Sequence, residues 1–268
     1  MKKFKKLIPA LCMLLISAVL MGTSTYAWFS MNTKVTATGM QVKAKAENKF
    51  LQIVAGTADF SDTAAQTTAE ATNKTKDVRP VTAVQAVVTT VGASSIAKFT
   101  AENATSVKAS EIKWAEAFSN DPTSSAKATD YTDVSAAAVS TEDNTNKYTL
   151  VNTFKVRLNA AMGVKTAANL AVQSVTIAAT GDNAKNELLP AVRVLITCGD
   201  NWVIYNKDGK VVGNKADSSI IAETVTDTTP SEISVYIFFD GEDTATTTNN
   251  ATTVGTDGYK VEFVLAID

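Results

Sequence analysis

The densest group of side chains able to do chemistry is acidic. Asp240, Glu242 and Asp243 fall within four positions, and Asn249 and Asn250 follow. Hard oxygen donors on a loop suit Ca²⁺, so these three carboxylates are the candidate metal ligands, and no other cofactor is expected. Their order departs from the Asp-x-[Asp/Asn]-x-[Asp/Asn]-Gly of an EF-hand loop, and Asp240-Gly241 reads equally as a turn carrying surface acids. Glycoside hydrolysis needs a second acid across a cleft, and nothing in the sequence locates one. The chain contains no His. That removes Ser-His and Cys-His nucleophiles, His-ligated zinc and imidazole pH switching. Gly209-Lys210 is followed by Val211 and lacks the upstream Gly of a phosphate loop. Trp114 and Trp202 suit sugar stacking, but both sit in strand-like runs where core packing is the commoner fate. No catalytic residue emerges, and an enzyme is not expected.

The N-terminus carries an address. Lys2, Lys3, Lys5 and Lys6 precede an apolar run over residues 7–21, then Gly22, Thr23, Ser24, Thr25, Tyr26 and Ala27. This order predicts a secretory signal peptide over residues 1–27, with Thr25 and Ala27 at the small positions before a cut between Ala27 and Trp28. The alternative is a retained membrane anchor, and the run falls short of the ~20 residues that span a bilayer. Cys12 would leave with the signal, so Cys198 becomes a lone thiol in a strand-like run, suited to a buried hydrophobic role. Residues 1–27 hold four Lys and no acid, so cleavage takes the net charge from −2 to −6. Such a balance excludes the basic footprint of a nucleic-acid binder and leaves the membrane approachable only through an uncleaved signal.

Holding any loop in place falls to β structure. With 268 residues, 45% hydrophobic, the chain can bury a sizeable core. Tyr148, Leu150, Phe154, Val156 and Leu158 share one parity, as do Val192, Val194, Ile196 and Cys198, and Tyr259, Val261, Phe263, Leu265 and Ile267. Period two marks half-buried antiparallel strands. Residues 233–239 are apolar on both parities and predict a central strand. The parity change from Leu170 and Val172 to Val175 and Ile177 predicts a bulge near Gln173-Ser174. Asp208-Gly209 predicts a hairpin between residues 202–205 and Val211-Val212. Residues 40–46, 50–54, 84–91 and 112–118 are further strands, the last also readable as a helical turn. Residues 56–77 and 120–147 read as long surface loops. The expectation is an all-β chain: a single jelly-roll-like β-sandwich over residues 28–268, preceded by a signal-peptide helix.

The junction Ser24-Thr25-Tyr26-Ala27-Trp28-Phe29-Ser30 resembles the signal peptides of the TasA/camelysin family, which a SipW-type signal peptidase cuts in Gram-positive bacteria. The run from Val235 to Asp243 and the closing strand are similar to surface proteins with such signals. The resemblance implies a secreted, extracellular or cell-surface jelly-roll subunit of biofilm-matrix fibres, a head-to-tail homopolymer whose freed N-terminal segment adds a strand to the next copy. The family's reported metalloprotease activity is not carried over, since the chain has no His-Glu-x-x-His. The residues fit a donor strand over 28–38: Phe29, Met31, Thr33, Val35 and Ala37 share one parity, and the apolar parity switches after Gly39 to Met40, Val42, Ala44 and Ala46. A switch of that kind predicts a bulge or hinge at Gly39. Strand addition supplies main-chain hydrogen bonds and side-chain pockets together. The alternative is a monomeric surface binding module, for glycan or host protein, with this segment as an ordinary edge strand.

Overall fold

The computed structural model describes residues 35–37, 41–46, 50–62, 66–71, 76–90, 93–118, 130–140, 148–180, 187–215, 219–246 and 258–267. Met1–Lys34 and Val35–Asp268 form separate units, and every described element belongs to the second. The signal-peptide helix, the Ala27–Trp28 junction, Phe29, Met31, Thr33 and the Gly39 hinge lie outside the described residues.

The strands are β1 (Val35–Ala37), β2 (Gln41–Ala46), β3 (Leu51–Ala55), β4 (Thr68–Glu70), β5 (Lys76–Val78), β6 (Val81–Val84), β7 (Ala86–Thr90), β8 (Ala93–Ala97), β9 (Lys113–Phe118), β10 (Asp130–Val134), β11 (Leu150–Leu158), β12 (Thr166–Ala179), β13 (Val192–Cys198), β14 (Asn201–Asn206), β15 (Gly209–Gly213), β16 (Ile220–Thr226), β17 (Ser231–Phe239) and β18 (Tyr259–Ala266). Two short helices, α1 (Ala101–Ala104) and α2 (Ala136–Ser140), join them. The protein is an all-β sandwich. One sheet runs β16-β12-β18-β2-β4 and the other β15-β14-β13-β17-β11-β3. The chain crosses repeatedly between the two sheets, and only β13, β14 and β15 are consecutive neighbours in one of them. Among the described strands one pair departs from antiparallel: β2 runs parallel to β18, Val42 opposite Val261 and Ala44 opposite Phe263.

The period-two residues meet between the sheets. Leu150, Phe154, Val156, Leu158, Val192, Val194, Ile196, Ile233, Val235 and Ile237 face Leu170, Val172, Val261, Phe263 and Leu265 in one buried cluster. Phe154 meets Phe263 edge-on at 5.4 Å between ring centroids. Each such side chain contributes roughly 1.5–3 kcal/mol on burial. The bulge is present: the register of β12 against β18 slips between Val172 and Ser174. It lets Leu170 and Val172 on one side, and Ile177 on the other, enter the same core.

β17 is central, bonded to β11 and β13, and its second parity has a partner of its own. A covering layer lies on the outer face of the six-stranded sheet. It comprises the sheet β10-β9-β6, the ribbon β7-β8, α1 and α2. Trp202, Ile204, Leu195, Val212 and Phe238 from the sandwich meet Val81, Trp114, Val107, Val134 and Val139 from the layer in a second core. A sheet buried on both faces needs apolar residues at every position, as residues 235–239 have.

Three expectations need correction. Residues 84–91 are not one strand: Gln85 separates β6, which pairs with β9, from β7, which pairs with β8. The break is pinned by Asn103, whose side-chain amide donates to Gln85 Oε1 at 3.1 Å while its Oδ1 accepts the Thr100 N–H at 2.8 Å. The stretch 56–77 holds β4 and part of β5, and 120–147 holds β10 and α2. These elements are short and each buries few apolar residues, such as Ala69 in β4, Val134 in β10 and Val139 in α2, too few to produce a visible period.

Candidate functional site

The N-terminal segment enters the described structure at β1. Val35 and Ala37 pair antiparallel with Val78 and Lys76 of the same chain, in a two-stranded ribbon of three residue pairs joined to neither large sheet. β2 begins four residues later in a different sheet, so the chain changes partner across the position of Gly39.

The structure does bring Asp240, Glu242 and Asp243 together, but around cations of the protein itself. Arg193, projecting from the outward parity of β13, places Nη2 3.2 Å from Asp240 Oδ2 and 2.8 Å from Asp243 Oδ2. Asp240 Oδ1 accepts the Thr82 hydroxyl at 2.7 Å and the Glu242 N–H at 3.1 Å. Asp243 Oδ1 accepts the Ala245 N–H at 2.9 Å. Glu242, its side chain 5% exposed, has Lys98 Nζ 2.5 Å from Oε2 and accepts the Tyr131 hydroxyl on Oε1. Burial, and then this bond to Glu242, push the Tyr131 phenol well above its ordinary range, so it stays a donor. All the carboxylate oxygens already have donors, and a cation would have to displace Arg193 and Lys98. Among the described residues no group of three or more acidic or thiol side chains converges as a metal requires. The calcium reading of Asp240, Glu242 and Asp243 is therefore replaced by an ion-pair clasp: Thr82, Lys98 and Tyr131 belong to the covering layer, and Arg193 and the three acids belong to the sandwich. Asn249 and Asn250 lie outside the described residues.

A second polar junction ties the layer to the start of β11. Glu116 lies 3.4 Å from Arg79 and accepts the Tyr148 hydroxyl at 3.1 Å. The sequence marks the three acids of the clasp but neither their partners nor the second junction, because the partners lie far apart in the chain and carry no motif.

Two concavities border the layer. One of about 120 Å³ is lined by Lys98, Phe99, Arg193, Phe238, Asp240 and Glu242. The other, about 330 Å³, is lined by Ile112, Trp114, Val139, Leu195, Thr197 and Tyr236 among others. The sugar-stacking alternative fails for both tryptophans. Trp114 is 4% and Trp202 1% exposed. Trp114 packs edge-on against Phe238 at 5.1 Å, and Trp202 donates Nε1–H to Val107 O at 2.8 Å beneath the Phe99 ring. Cys198 is free and buried, and burial pushes its thiol up, away from the reactive thiolate.

No protein-family model, curated protein or solved structure matches the chain.

Proposed function

We propose that this chain is a secreted structural subunit that polymerises head-to-tail into extracellular fibres of the biofilm-matrix kind, through exchange of its N-terminal strand. It resembles the TasA/camelysin family at residues 24–30. The observation that carries the reading is the pairing of β1. Of the alternating segment 29–37, residues 35–37 pair with β5 of their own chain through three residue pairs outside both large sheets. Main-chain hydrogen bonds contribute about 0.5–1.5 kcal/mol each in net terms. Releasing so short a ribbon is a small loss that pairing along a longer edge of a second copy offsets. Repeated without closure, such a contact makes a filament. Removal of a signal at Ala27–Trp28 would free the segment's leading end. No role in this reading calls for a catalytic group.

One observation favours the competing reading of a monomeric surface binding module: β1 pairs within its own chain. The experiment that separates them compares the secreted protein with a variant lacking residues 28–38, by electron microscopy and by size in solution, after N-terminal sequencing. Filaments from the first and monodisperse particles from the second are expected. Equal filament formation by both would remove the strand-exchange role, and a monodisperse parent protein would favour the binding module.

A further inference from the structure

We infer that the acceptor for residues 29–37 of a second copy is the open outer edge of β12 between Gln173 and Ala179. This rests on the polymer reading and names its contact.

β12 is long, and its two halves have different neighbours. Residues 166–171 pair with β16, and residues 171–179 pair with β18 on the opposite side. Among the described residues, the last bond on the β16 side is Val172 N–H to Ser219 O, 2.9 Å. Beyond it, among the described residues, no strand pairs with β12 on that side. The direction of the free groups follows from the far end. Thr180 N–H donates to Gly258 O at 3.1 Å, on the β18 side. Successive residues of a strand alternate sides, so Ala179, Ile177 and Val175 turn their N–H and C=O groups outward.

An open edge is a template for pairing, and natural proteins blunt it with charge, proline or cover. Here those devices are missing among the described residues. From Thr166 to Ala179 the sequence holds no charged residue, no Pro and no Gly. The other margins of the two large sheets carry a charge or a cover. β16 carries Glu223, paired with Lys215 at 2.9 Å. β15 carries Lys210, and β4 has three residues including Glu70. The outer side of β3 is covered, with Ile53 N–H bonded to Gln66 O at 2.7 Å and Gln52 Nε2 to Ser61 O at 2.6 Å.

The occupant matches in length, charge and pattern. Residues 29–37 span about 30 Å when extended and the edge about 23 Å, at roughly 3.3 Å per residue. Lys34 is the segment's one charge, and Phe29, Met31, Thr33, Val35 and Ala37 fall on one face. On the acceptor, Val175 and Ala179 are half-buried at the rim of the core. A strand laid there would cover that rim with its apolar face and satisfy the outward main-chain groups together.

The test is hydrogen exchange on the secreted chain, read at single amides, in monomer and in filament. Assembly is expected to slow exchange at Val175, Ile177 and Ala179 by roughly two orders of magnitude. Val175→Pro and Ala179→Pro remove outward donors and leave the β18 ladder intact. Each is expected to cut filament yield at least about tenfold, with monomer melting lowered by no more than about 5 °C. Filaments that form while these amides exchange at the monomer rate, or with protection appearing on β7 or β8 instead, would overturn the acceptor assignment and leave the polymer reading standing. Protection of the edge that survives deletion of residues 28–38 would identify β12 pairing with its own copy and overturn it too. Absence of filaments from the parent chain would remove both proposals.

Discussion

Among single residues, Glu242 links the covering layer to the sandwich most directly. Its two oxygens hold Lys98 and Tyr131, while Asp240 takes Thr82. Removing one member of a buried ion pair strands its partners, at about 3–5 kcal/mol when both are buried. Lys98 is 49% exposed and recovers water, so Glu242→Ala is expected to lose about 1–3 kcal/mol in urea unfolding, with Lys98→Ala losing less. Tyr259 makes the opposite case. Its hydroxyl is buried with no hydrogen-bond partner among the described residues, and burial, then the charge of Glu187, push its phenol up to about 12. A folded value above the unfolded one, near 10, means stability is intact below about pH 10 and falls as pH rises toward 12. Tyr259→Phe removes both the orphan hydroxyl and this titration. It is expected to raise stability by about 1 kcal/mol at pH 7 and to reduce the loss between pH 10 and 12, measured by thermal melts across that range.

At the level of elements, the β14–β15 hairpin is packed too closely for any side chain at one position. A Cβ on Gly213 would meet Trp202 O at 2.9 Å and Val203 Cα at 3.3 Å, both main-chain atoms that cannot swing away. Gly213→Ala is therefore expected to destabilise by about 1–3 kcal/mol, visible as a lower urea midpoint with an unchanged slope. The Asp208-Gly209 turn of this hairpin was legible in the sequence because Gly209, at φ 131°, takes a backbone shape that other residues avoid. The β12 bulge was legible for a related reason: one extra residue shifts every later side chain by one parity, and Leu170, Val172, Val175 and Ile177 record the shift. β4, β10 and α2 were not, since period detection needs several apolar residues per element. Nor was the clasp. Arg193, between Val192 and Val194, has in the sequence the position of any outward-facing strand residue, and only the fold reveals that Asp240 and Asp243 stand beside it.

At the scale of the whole molecule, the six-stranded sheet is shared property. β13, β14 and β17 give one face to the sandwich core and the other to the covering layer. If the layer undocked alone, Trp202, Ile204, Leu195 and Phe238 would meet water, at roughly 1.5–3 kcal/mol for each large side chain. The Glu242 and Glu116 junctions would break with them. That sum is comparable with the stability of an entire domain, about 5–15 kcal/mol, so layer and sandwich should unfold together. Trp114 and Trp202 both sit at the shared interface, which gives an optical test. Tryptophan fluorescence reports undocking, and far-UV circular dichroism reports the sheets. Their melting curves are expected to coincide within about 2 °C. A fluorescence transition that precedes the dichroism would show that the layer detaches first, with the sandwich persisting beneath it. Coincident melting has a bearing on assembly as well. A body that opens only as a whole stays folded while the three-pair β1–β5 ribbon is released, as the proposed exchange of the N-terminal strand between intact subunits requires.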